Sequence, residues 1–558
     1  MRAVSRVLAG IALTVVGLAA CNGDDDTGPS GPNPPAGLTV TALSPIAARV
    51  SWSAATGATS YILERAQGAT GGTFAQVGTP TGTTFDDTGL TPATTYRYRV
   101  ATVSGSQTSS FSTEASVTLQ QQQIITVSTD ITTSTTWTAA NKYRLTGFIH
   151  VANGATLTLE PGTVIEGDFN VVGSSLFVLR GARIVANGTA TQPIVFTSSR
   201  PVGQRQAGDW GGLIIVGNGI INRAAPVILE GTGGTGNPQV DYAGGTNNAD
   251  DSGVLRYVRV EFAGYATAPD QELNSFTFAA VGSGTTMDHL EALNGLDDSF
   301  EWFGGAVDGK HFVSYNSGDD HFDMSEGYVG RLQFLIAYQN IAVIPRPQAG
   351  NISNDPQGIE NDGCNGTNCT NGQNSTPLTV PLIANFTLVG PPAGVNNQGS
   401  GLVGMMLRRG TGGYYVNGVA TRWGRAAISL RDQTTLDRAT AGDLVLNNLH
   451  LAENAVTFQP ASGTTVQGTV DLTANAIEVA AGGTATALFT ALPASPTGPA
   501  QLDWMPATGA AIRTGGLAAF SGAVATKAGT FVTGTAFRGA ADPAGAKWWE
   551  GWTNYATN

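Results

Sequence analysis

The sequence predicts an all-β protein in which a small β-sandwich is followed by a large parallel, right-handed β-helix. Three observations lead to this fold class. Glycine supplies 74 of the 558 residues, well above the average of about 7%, while charged residues make up only 12%. Short runs of β-branched residues alternate with turns, and no long stretch has helical periodicity. Residues in the middle of the chain recur every 22 positions.

The first twenty residues predict an export signal. Arg2 and Arg6 precede the 14-residue apolar run VLAGIALTVVGLAA, which is too short to cross a hydrocarbon core of about 30 Å as a helix. The run ends in LAAC, which resembles the lipobox of bacterial lipoproteins, so Cys21 is the predicted lipidation site. Asn22 replaces the Asp that commonly retains such proteins at the inner membrane. We therefore expect a lipid anchor in the outer membrane, with the protein exposed at the cell surface.

Residues 21–34 are rich in Gly, Pro and polar side chains, and such a composition predicts a flexible tether. Residues 35–120 then show short alternating segments separated by turns, which is typical of a β-sandwich. The stretch LTPATTYRYRV has the pattern of a tyrosine corner ending at Tyr96, and Trp52 stands where an early strand supplies a buried indole. This segment resembles a fibronectin type III domain. We expect it to act as a spacer, followed by a linker over residues 121–140.

Residues 141–558 predict the parallel β-helix. The segments GATLTLEPGTVIEG and DWGGLIIVGNGIIN are typical of short strands punctuated by turns. A repeat of 22 with apolar positions in register suits one coil of a β-helix, whose side chains stack about 4.8 Å apart on those of the next coil. The repeat aligns Leu290 with Phe312 and Phe278 with Phe300, and it also aligns the following positions with one another: Asp297 and Asp319, Asp298 and Asp320, Phe300 and Phe322, Glu301 and Asp323, Gly305 and Gly327, Phe312 and Phe334.

Several motifs in this region also resemble a known family. GDWGGLIIVGNGIIN (residues 208–222), SGVLRYVRVEFAG (252–264), QGIENDG (357–363) and the ending WWEGWTNY are similar to the β-helical outer-membrane lipoproteins that include an abundant leptospiral surface lipoprotein. The resemblance implies a β-helix fold and an outer-membrane location. It implies no biochemical activity, because none is established for the family as a whole. The fibronectin-like module is an addition to the family pattern.

The repeat stacks six acidic side chains in three pairs, which form the predicted acidic ladder: Asp297, Asp298, Glu301, Asp319, Asp320 and Asp323. Two carboxylates about 5 Å apart repel by about 3 kcal/mol at an effective dielectric of 20. Hydrogen bonds at tight turns, a bound Ca²⁺ or raised pKa values that serve catalysis would each offset this repulsion. These alternatives remain open in the sequence. The six acids are the candidate calcium ligands, and no cofactor other than Ca²⁺ is expected.

Catalysis has less support in the sequence than binding. Paired carboxyls would suit a glycosidase, but neither a Gly-His-Gly nor an Arg-x-Lys segment is present, and Arg331 has no special spacing to the acids. We therefore assign no catalytic residue. His289 and His311 also lie 22 apart and are expected to point outward and stack, but without a clear third ligand they are a weak zinc signal. Trp302 and Phe303 are expected to pack in the core and turns.

Two further features complete the functional expectation. Cys364 and Cys369 lie five apart in a loop-like run, a spacing that predicts a local disulfide in an exported protein. The formal charge of −13, without a basic cluster beyond the N-terminus, argues against nucleic acid as a partner. The sequence thus predicts a non-catalytic outer-membrane lipoprotein for surface binding, adhesion or structure, with a glycan or surface protein as partner. The alternative is a surface polysaccharide lyase or hydrolase of the β-helix type.

Overall fold

The computed structural model describes residues 31–152, 154–234, 236–268, 271–353, 356–364, 366–395 and 401–555. The predicted export signal, most of the tether and the lipidation site Cys21 lie outside these described residues. The described chain divides into two compact units, with the main boundary between Leu119 and Gln120. Within the described ranges, no helix is both long enough and apolar enough to cross a membrane.

The first unit is the predicted β-sandwich. Its strands are β1 (Thr39–Ser44), β2 (Ala47–Ser51), β3 (Ser60–Gln67), β4 (Ala75–Gly78), β5 (Thr84–Thr88), β6 (Thr95–Ser104), β7 (Gln107–Thr108) and β8 (Ala115–Thr118). One sheet has the order β1-β2-β5, and the other has the order β4-β3-β6-β7 with β8 also paired to β6. Trp52 and Tyr96 are both buried, and Trp52 packs edge-on against Tyr61 at a ring distance of 5.3 Å. Because residues 35–120 contain no cysteine, this apolar core holds the two sheets together.

The second unit contains many short strands and few helices. Its first strands are β9 (Gln123–Val127), β10 (Thr135–Trp137), β11 (Asn141–Leu145), β12 (Phe148–Val151), β13 (Thr156–Leu159), β14 (Val164–Gly167), β15 (Ser175–Val178), β16 (Arg183–Asn187), β17 (Ile194–Ser198), β18 (Leu213–Val216), β19 (Gly253–Glu261), β20 (Ala266–Ala268), β21 (Gln271–Glu272), β22 (Phe276–Ala279), β23 (Thr286–Leu293), β24 (Phe300–Phe303), β25 (Asp308–Tyr315), β26 (Phe322–Ser325), β27 (Arg331–Tyr338) and β28 (Gln357–Asp362).

The later elements continue the same pattern until the helices of the C-terminal region. They are β29 (Leu382–Val389), β30 (Val403–Arg408), β31 (Gly413–Val416), β32 (Val419–Thr421), β33 (Ala426–Arg431), α1 (Gln433–Ala441), β34 (Leu444–Asn447), β35 (His450–Ala452), β36 (Gln467–Gly468), β37 (Glu478–Ala480), α2 (Ala485–Leu488), β38 (Phe489–Ala491), β39 (Asp503–Pro506) and α3 (Gly522–Ala528). Short 3-10 helices cover Gly372–Asn374, Pro499–Gln501 and Ala511–Arg513.

The strands form a parallel β-helix, as predicted. A ten-stranded sheet runs from β12 through β24, β26 and β28 to β36, and a seventeen-stranded sheet contains β19, β23, β25, β27 and β29. Each of those long strands bends at one residue with left-handed backbone angles, so a single strand forms two sides of the coil. These bend residues stand in register, with φ between 49° and 65°, and form the left-handed column: Tyr257, His289, His311, Phe334 and Asn385.

Aromatic side chains stack inside the coils. The rings of Phe276, Phe300 and Phe322 follow one another at 4.9 and 5.4 Å. The three rings occupy the same position in successive strands and contact one another, and all three are completely buried. Trp302 lies in this interior, and Phe303 is buried in the neighbouring apolar cluster, so both have the packing roles expected of them.

The 22-residue repeat is correct for some positions and wrong for others. Glu301 pairs with Asp323 and Leu290 with Phe312, as the repeat predicts. Two predicted pairings are wrong: Phe278 lies opposite Trp302 instead of Phe300, and Phe312 lies opposite Leu335 instead of Phe334. The physical reason is that the turns between coils differ in length, while register is set by backbone pairing and interior stacking.

The segment 121–140, expected to be a linker, instead belongs to the β-helix. Strand β9 pairs in parallel with β11, and β10 pairs in parallel with β13. Trp137 stacks on Tyr143 at 4.5 Å and lies at the edge of the main core. The terminal coil of a solenoid needs a polar outer surface, and residues 121–140 are accordingly rich in Gln and Thr. The same composition is typical of a linker, which explains the wrong prediction.

The region assigned wholly to the β-helix also ends differently. After β37, residues 485–555 form the C-terminal segment, which packs against the outer surface of the seventeen-stranded sheet. Its buried side chains join outward-facing strand residues such as Val313 and Tyr338 in one apolar cluster: Phe489, Trp504, Trp549, Trp552 and Tyr555. Strands that carry apolar residues on both faces require such a cover, because their outer face would otherwise be exposed to water.

We predict that Trp504→Ala destabilises the second unit by about 3–5 kcal/mol, the usual cost of truncating a buried aromatic side chain. Trp504 is only 1% exposed, and its Nε1 donates a hydrogen bond of 2.9 Å to the hydroxyl of Tyr315. Urea unfolding measures the change. Val172→Ala is the control, because Val172 is 54% exposed and should change stability by less than about 0.5 kcal/mol. Equal effects of the two substitutions would contradict the covering role of the C-terminal segment.

Candidate functional site

Three acidic side chains stack on the outer face of the ten-stranded sheet. Backbone register places Glu301 of β24 opposite Asp323 of β26, and Asp323 opposite Glu360 of β28. Their neighbours Phe300 and Trp302 point into the core, so the alternation of a β-strand directs the three carboxyls outward. Adjacent strands lie about 4.8 Å apart, which brings three carboxyls into one column.

The turns before these strands add four more acids. The backbone N–H of Asp320 donates to Asp298 Oδ1 at 2.8 Å, and the N–H of Gln357 donates to Asp320 Oδ1 at 2.5 Å. Asp298 and Asp320 therefore link three successive coils through the turn chemistry that the sequence suggested. A carboxylate oxygen of Asp297 and one of Asp319 lie with one from Asp298, all within 4.8 Å of one another.

Three further acids, Glu230, Glu272 and Asp362, complete the cluster, and neither these nor Glu360 follow from the 22-residue repeat. Glu230 comes from the connection between β18 and β19 and Glu272 from the short strand β21, and the N–H of Glu272 donates to Glu230 Oε1 at 3.3 Å. Glu360 and Asp362 come from β28. The register of β28 was hidden from the repeat, because 37 residues separate Phe322 from its partner Ile359. We call the ten residues the acidic centre: Glu230, Glu272, Asp297, Asp298, Glu301, Asp319, Asp320, Asp323, Glu360 and Asp362.

Two arginines border the acidic centre. Arg408 Nε lies 2.9 Å from Asp362 Oδ1, and Arg408 also pairs with Glu360. Arg409 pairs with the other oxygen of Asp362. Register places Arg408 directly opposite Asp362 in the next coil, so the charges meet along one column. The two guanidinium groups neutralise only one end of the cluster.

Burial and mutual repulsion raise the pKa values of several carboxyls in the acidic centre. Burial is the largest cause for Asp297, with the neighbouring Asp319 next, and the pKa of Asp297 lies well above its usual range. The same two kinds of cause, in the same order, raise the pKa of Glu301 and of Asp323. Burial also raises the pKa of Glu230 to about 7. At neutral pH such groups either hold protons or require a cation.

The donor atoms suit a hard cation. Carboxylate oxygens of Asp298, Glu301 and Asp323 lie within 4.8 Å of one another, as do those of Asp320, Asp323 and Glu360. Asp323 Oδ1 is buried without a hydrogen-bond partner. So is Oδ1 of Asn274, a residue 2% exposed whose amide nitrogen donates to Glu301. Ca²⁺ binds six to eight such oxygens at about 2.3–2.6 Å.

A cleft of about 770 Å³ opens onto the acidic centre. Glu272, Asp297 and Asp319 line it, together with polar and small residues of two loops: Tyr265, Ala266, Thr267, Ala268, Gln348, Gly350, Asn351, Ile352 and Ser353. The acidic centre is therefore accessible from one side, while Asp298 and Asp320 lie deeper.

The remaining sequence candidates lie elsewhere. Arg331 belongs to the seventeen-stranded sheet and pairs with Asp308 at 2.5 Å, so it is not part of the acidic centre. Cys364 and Cys369 form a disulfide, with their Cα atoms 6.0 Å apart. His289 and His311 stack at 4.4 Å, as expected. Contrary to expectation, they do not face solvent. The C-terminal segment covers them, a long-range contact that local periodicity does not reveal.

Two families of known proteins match the chain. A family described as a pectate-lyase-like beta helix domain matches residues 129–494, about two thirds of the chain. The fibronectin type III domain matches residues 33–118. No curated protein matches the chain.

Several solved structures of fibronectin type III domains are similar to about a sixth of the chain. A structure described as FN3tt is 24% identical and matches 16% of this chain and 97% of its own, with a TM-score of 0.15. An Fn3-like protein from Clostridium thermocellum is 33% identical over 17% of this chain and 99% of its own, also with a TM-score of 0.15. The sixth fibronectin type III domain of human fibronectin type III domain containing protein 3 is 29% identical over 17% and 93%, with a TM-score of 0.16.

We predict that, in the presence of a chelator, stability falls as pH rises from about 6.5 to 8. The window begins at the ordinary pKa of histidine, because burial lowers the pKa of His321 to about 3 and this group acts in the opposite sense at lower pH. Carboxyls whose pKa is raised by folding bind more protons in the folded than in the unfolded state within this window, so each pH unit of rise favours unfolding. Glu230, whose pKa is about 7, contributes across most of the window. One unit of pKa shift corresponds to about 1.4 kcal/mol, so we expect a loss above about 1 kcal/mol.

Urea unfolding at several pH values in EGTA measures this dependence. Glu230→Gln should reduce the slope, because it removes one of the groups that take up a proton on folding. Glu550→Gln is the matched control at an exposed position and should leave the slope unchanged. Stability that rises with pH across the window would contradict the burial of the acidic centre.

Proposed function

The chain belongs to the family of pectate-lyase-like beta helix domains. We propose that this member is a non-catalytic outer-membrane lipoprotein. Its β-helix binds Ca²⁺ at the acidic centre. The calcium-loaded cleft is the surface at which the β-helix binds a glycan or a surface protein. The fibronectin type III unit serves as a spacer between this surface and the lipid anchor at Cys21. The buried column of Glu301, Asp323 and Glu360 is the observation that carries the proposal.

The charge balance favours a bound divalent cation. Ten carboxyls face two arginines, and both arginines are engaged by Glu360 and Asp362. An excess of buried carboxyls is costly unless protons or metal ions compensate it. The oxygen of Asp323 that lacks a hydrogen-bond partner is a candidate ligand for such an ion. A calcium ion among the three overlapping groups of oxygens would satisfy it.

The charge of Arg408 argues against one catalytic role, that of a general base. A general base near neutral pH needs a pKa close to the working pH. Burial lowers the pKa of Arg408, but Asp362 and Glu360 outweigh this effect, and its pKa lies above the usual range. Arg408 therefore remains a cation and cannot accept a proton from a substrate.

A surface polysaccharide lyase or hydrolase is the second candidate function. The family description and the carboxyls that border the cleft favour it. Incubation with a panel of polysaccharides, followed by assays for new reducing ends and unsaturated uronates, separates it from the binding function. Cleavage that disappears in a folded Asp323→Asn protein would show that the acidic centre is correctly located and that its role is catalytic.

We predict that calcium stabilises the protein and that Asp323→Asn weakens this effect. A ligand at a hundred times its dissociation constant adds about 2.7 kcal/mol to the free energy of unfolding. Removal of Ca²⁺ with EGTA should therefore lower the melting temperature of the unsubstituted protein. Asp323→Asn removes one charge and should reduce the calcium-dependent shift by at least half. Differential scanning calorimetry at pH 7.5 measures both.

Asp437→Asn serves as the matched control for calcium binding, since Asp437 lies on the exposed side of α1 and accepts a hydrogen bond from Gln433. It should keep the full calcium response. If the unsubstituted protein showed no shift with Ca²⁺, while Asp323→Asn were more stable at every calcium concentration, the acidic centre would be purely structural.

We predict that Cys21→Ala releases the protein from the membrane fraction. A triacylated cysteine exceeds the two acyl chains needed for stable attachment. Among the residues that the structure describes, no helix is long and apolar enough to replace it as an anchor. Fractionation of expressing cells followed by immunoblotting measures the distribution. Asn22→Asp is the matched variant, because it keeps the cysteine and should move the protein to the inner membrane. Unchanged membrane partitioning of Cys21→Ala would exclude the lipid anchor.

A further inference from the structure

A second cluster of metal-binding side chains lies on the opposite sheet from the acidic centre. Asp288 and His289 are consecutive residues of β23, and His311 stands opposite His289 in the left-handed column. Nδ1 of His311 lies 2.7 Å from Asp288 Oδ1, and Nδ1 of His289 lies 2.9 Å from the same oxygen. One carboxylate oxygen and two imidazole nitrogens therefore converge on one point.

The fold determines this convergence. Both histidines occupy the bend of their coil, with φ of 56° and 60°, and parallel register stacks their rings at 4.4 Å. Tyr257 closes the stack on one side at 4.3 Å and Phe334 on the other at 5.2 Å. The two rings are therefore held parallel without any contribution from a ligand.

The C-terminal segment encloses the cluster from outside. Trp552 packs edge-on against His289 at 5.6 Å, and Trp548 approaches His311 at 5.0 Å. The side chains of His289 and His311 remain 12% and 22% exposed. The cluster is thus shielded but open to a small ion.

We propose that Asp288, His289 and His311 bind one divalent transition-metal ion, with Zn²⁺ as the ion best suited to the ligands. Imidazole nitrogen and carboxylate oxygen are typical zinc ligands, and three protein ligands with one open position are a known zinc arrangement. The inference goes beyond the proposed function and does not depend on calcium binding at the acidic centre.

Two details of the geometry support this site. His289 Nδ1 is buried and forms no well-aligned hydrogen bond, although Asp288 Oδ1 lies 2.9 Å from it. Arg256 Nε faces the other oxygen of Asp288, Oδ2, at 3.8 Å, which leaves Oδ1 for the ion. Tetrahedral ligands at about 2.0–2.1 Å from zinc are about 3.3 Å apart, so each nitrogen needs to move only about half an ångström away from Oδ1.

The cations near the cluster limit its affinity and aid its selectivity. Arg256 and Lys310 both act on Asp288, and burial lowers the pKa of Lys310. A positively charged surrounding weakens binding of a hard cation that relies on charge alone. Coordination by two imidazoles compensates for this with Zn²⁺, Co²⁺ or Cu²⁺, but not with Ca²⁺.

The test uses the untagged full-length protein with Ca²⁺ in excess, so that the acidic centre is occupied. Titration with Zn²⁺ against a chromophoric chelator should show one site per chain. Co²⁺ should give the visible absorption of a nitrogen- and oxygen-bound ion. Cu²⁺ should quench tryptophan fluorescence, because Trp548 and Trp552 lie beside the imidazoles. His311→Asn and Asp288→Asn should each weaken zinc binding at least tenfold.

Asparagine is chosen because Asn385 already occupies the left-handed column with φ of 55°. The matched control is His150→Asn, which removes another histidine paired with an aspartate, His150 Nδ1 to Asp130 Oδ1 at 2.9 Å, but with no second imidazole. It should bind zinc like the unsubstituted protein. A chain that binds no zinc under these conditions, or equal binding by folded His311→Asn protein, would overturn the proposal and make the cluster a hydrogen-bonded contact only.

Discussion

Stacking of equivalent side chains in successive coils governs this protein. A parallel β-helix places each residue about 4.8 Å from its counterpart in the next coil. Equivalent side chains in successive coils therefore point in the same direction, either inward or outward. Inside, the repetition is favourable, because Phe276, Phe300 and Phe322 form a continuous aromatic stack. Outside, the same repetition brings like charges together, as in the column of Glu301 and Asp323. The fold therefore creates both its core and its most strongly interacting charges.

The outer faces of the two sheets are covered in different ways. The seventeen-stranded sheet carries apolar residues outward, and the C-terminal segment covers them with tryptophan and tyrosine side chains. The outer face of the ten-stranded sheet is divided. Phe177, Ile214 and Phe303 join an apolar cluster, whereas Glu301, Asp323 and Glu360 form a column that no apolar segment can cover without a large desolvation cost. The segments that connect the strands of this sheet instead contribute Glu230, Glu272 and the amide of Asn274 to a polar enclosure. The open cleft next to this enclosure follows from that difference.

The two candidate metal sites differ in chemistry for the same reason. In the acidic centre the stacked positions are carboxylates, which favour a hard cation with many oxygen ligands. In the left-handed column the stacked positions are the imidazoles of His289 and His311, which favour a transition metal. In each case parallel register supplies ligands from several coils, and a neighbouring segment completes the surroundings. Neither site depends on the fibronectin type III unit.

The sequence by itself determined the fold class, the order of the units, the disulfide and the pairing of Glu301 with Asp323, because these follow from composition, short spacing and local periodicity. Only the tertiary structure decided which other acids join them. Glu360 lies 37 residues after Asp323, and Glu230 arrives from a connecting loop, so no fixed repeat relates them to the ladder. The enclosure of His289 and His311 likewise depends on Trp548 and Trp552, more than 200 residues away in the chain. Contacts of this kind are set by packing of the whole unit, which local sequence patterns do not encode.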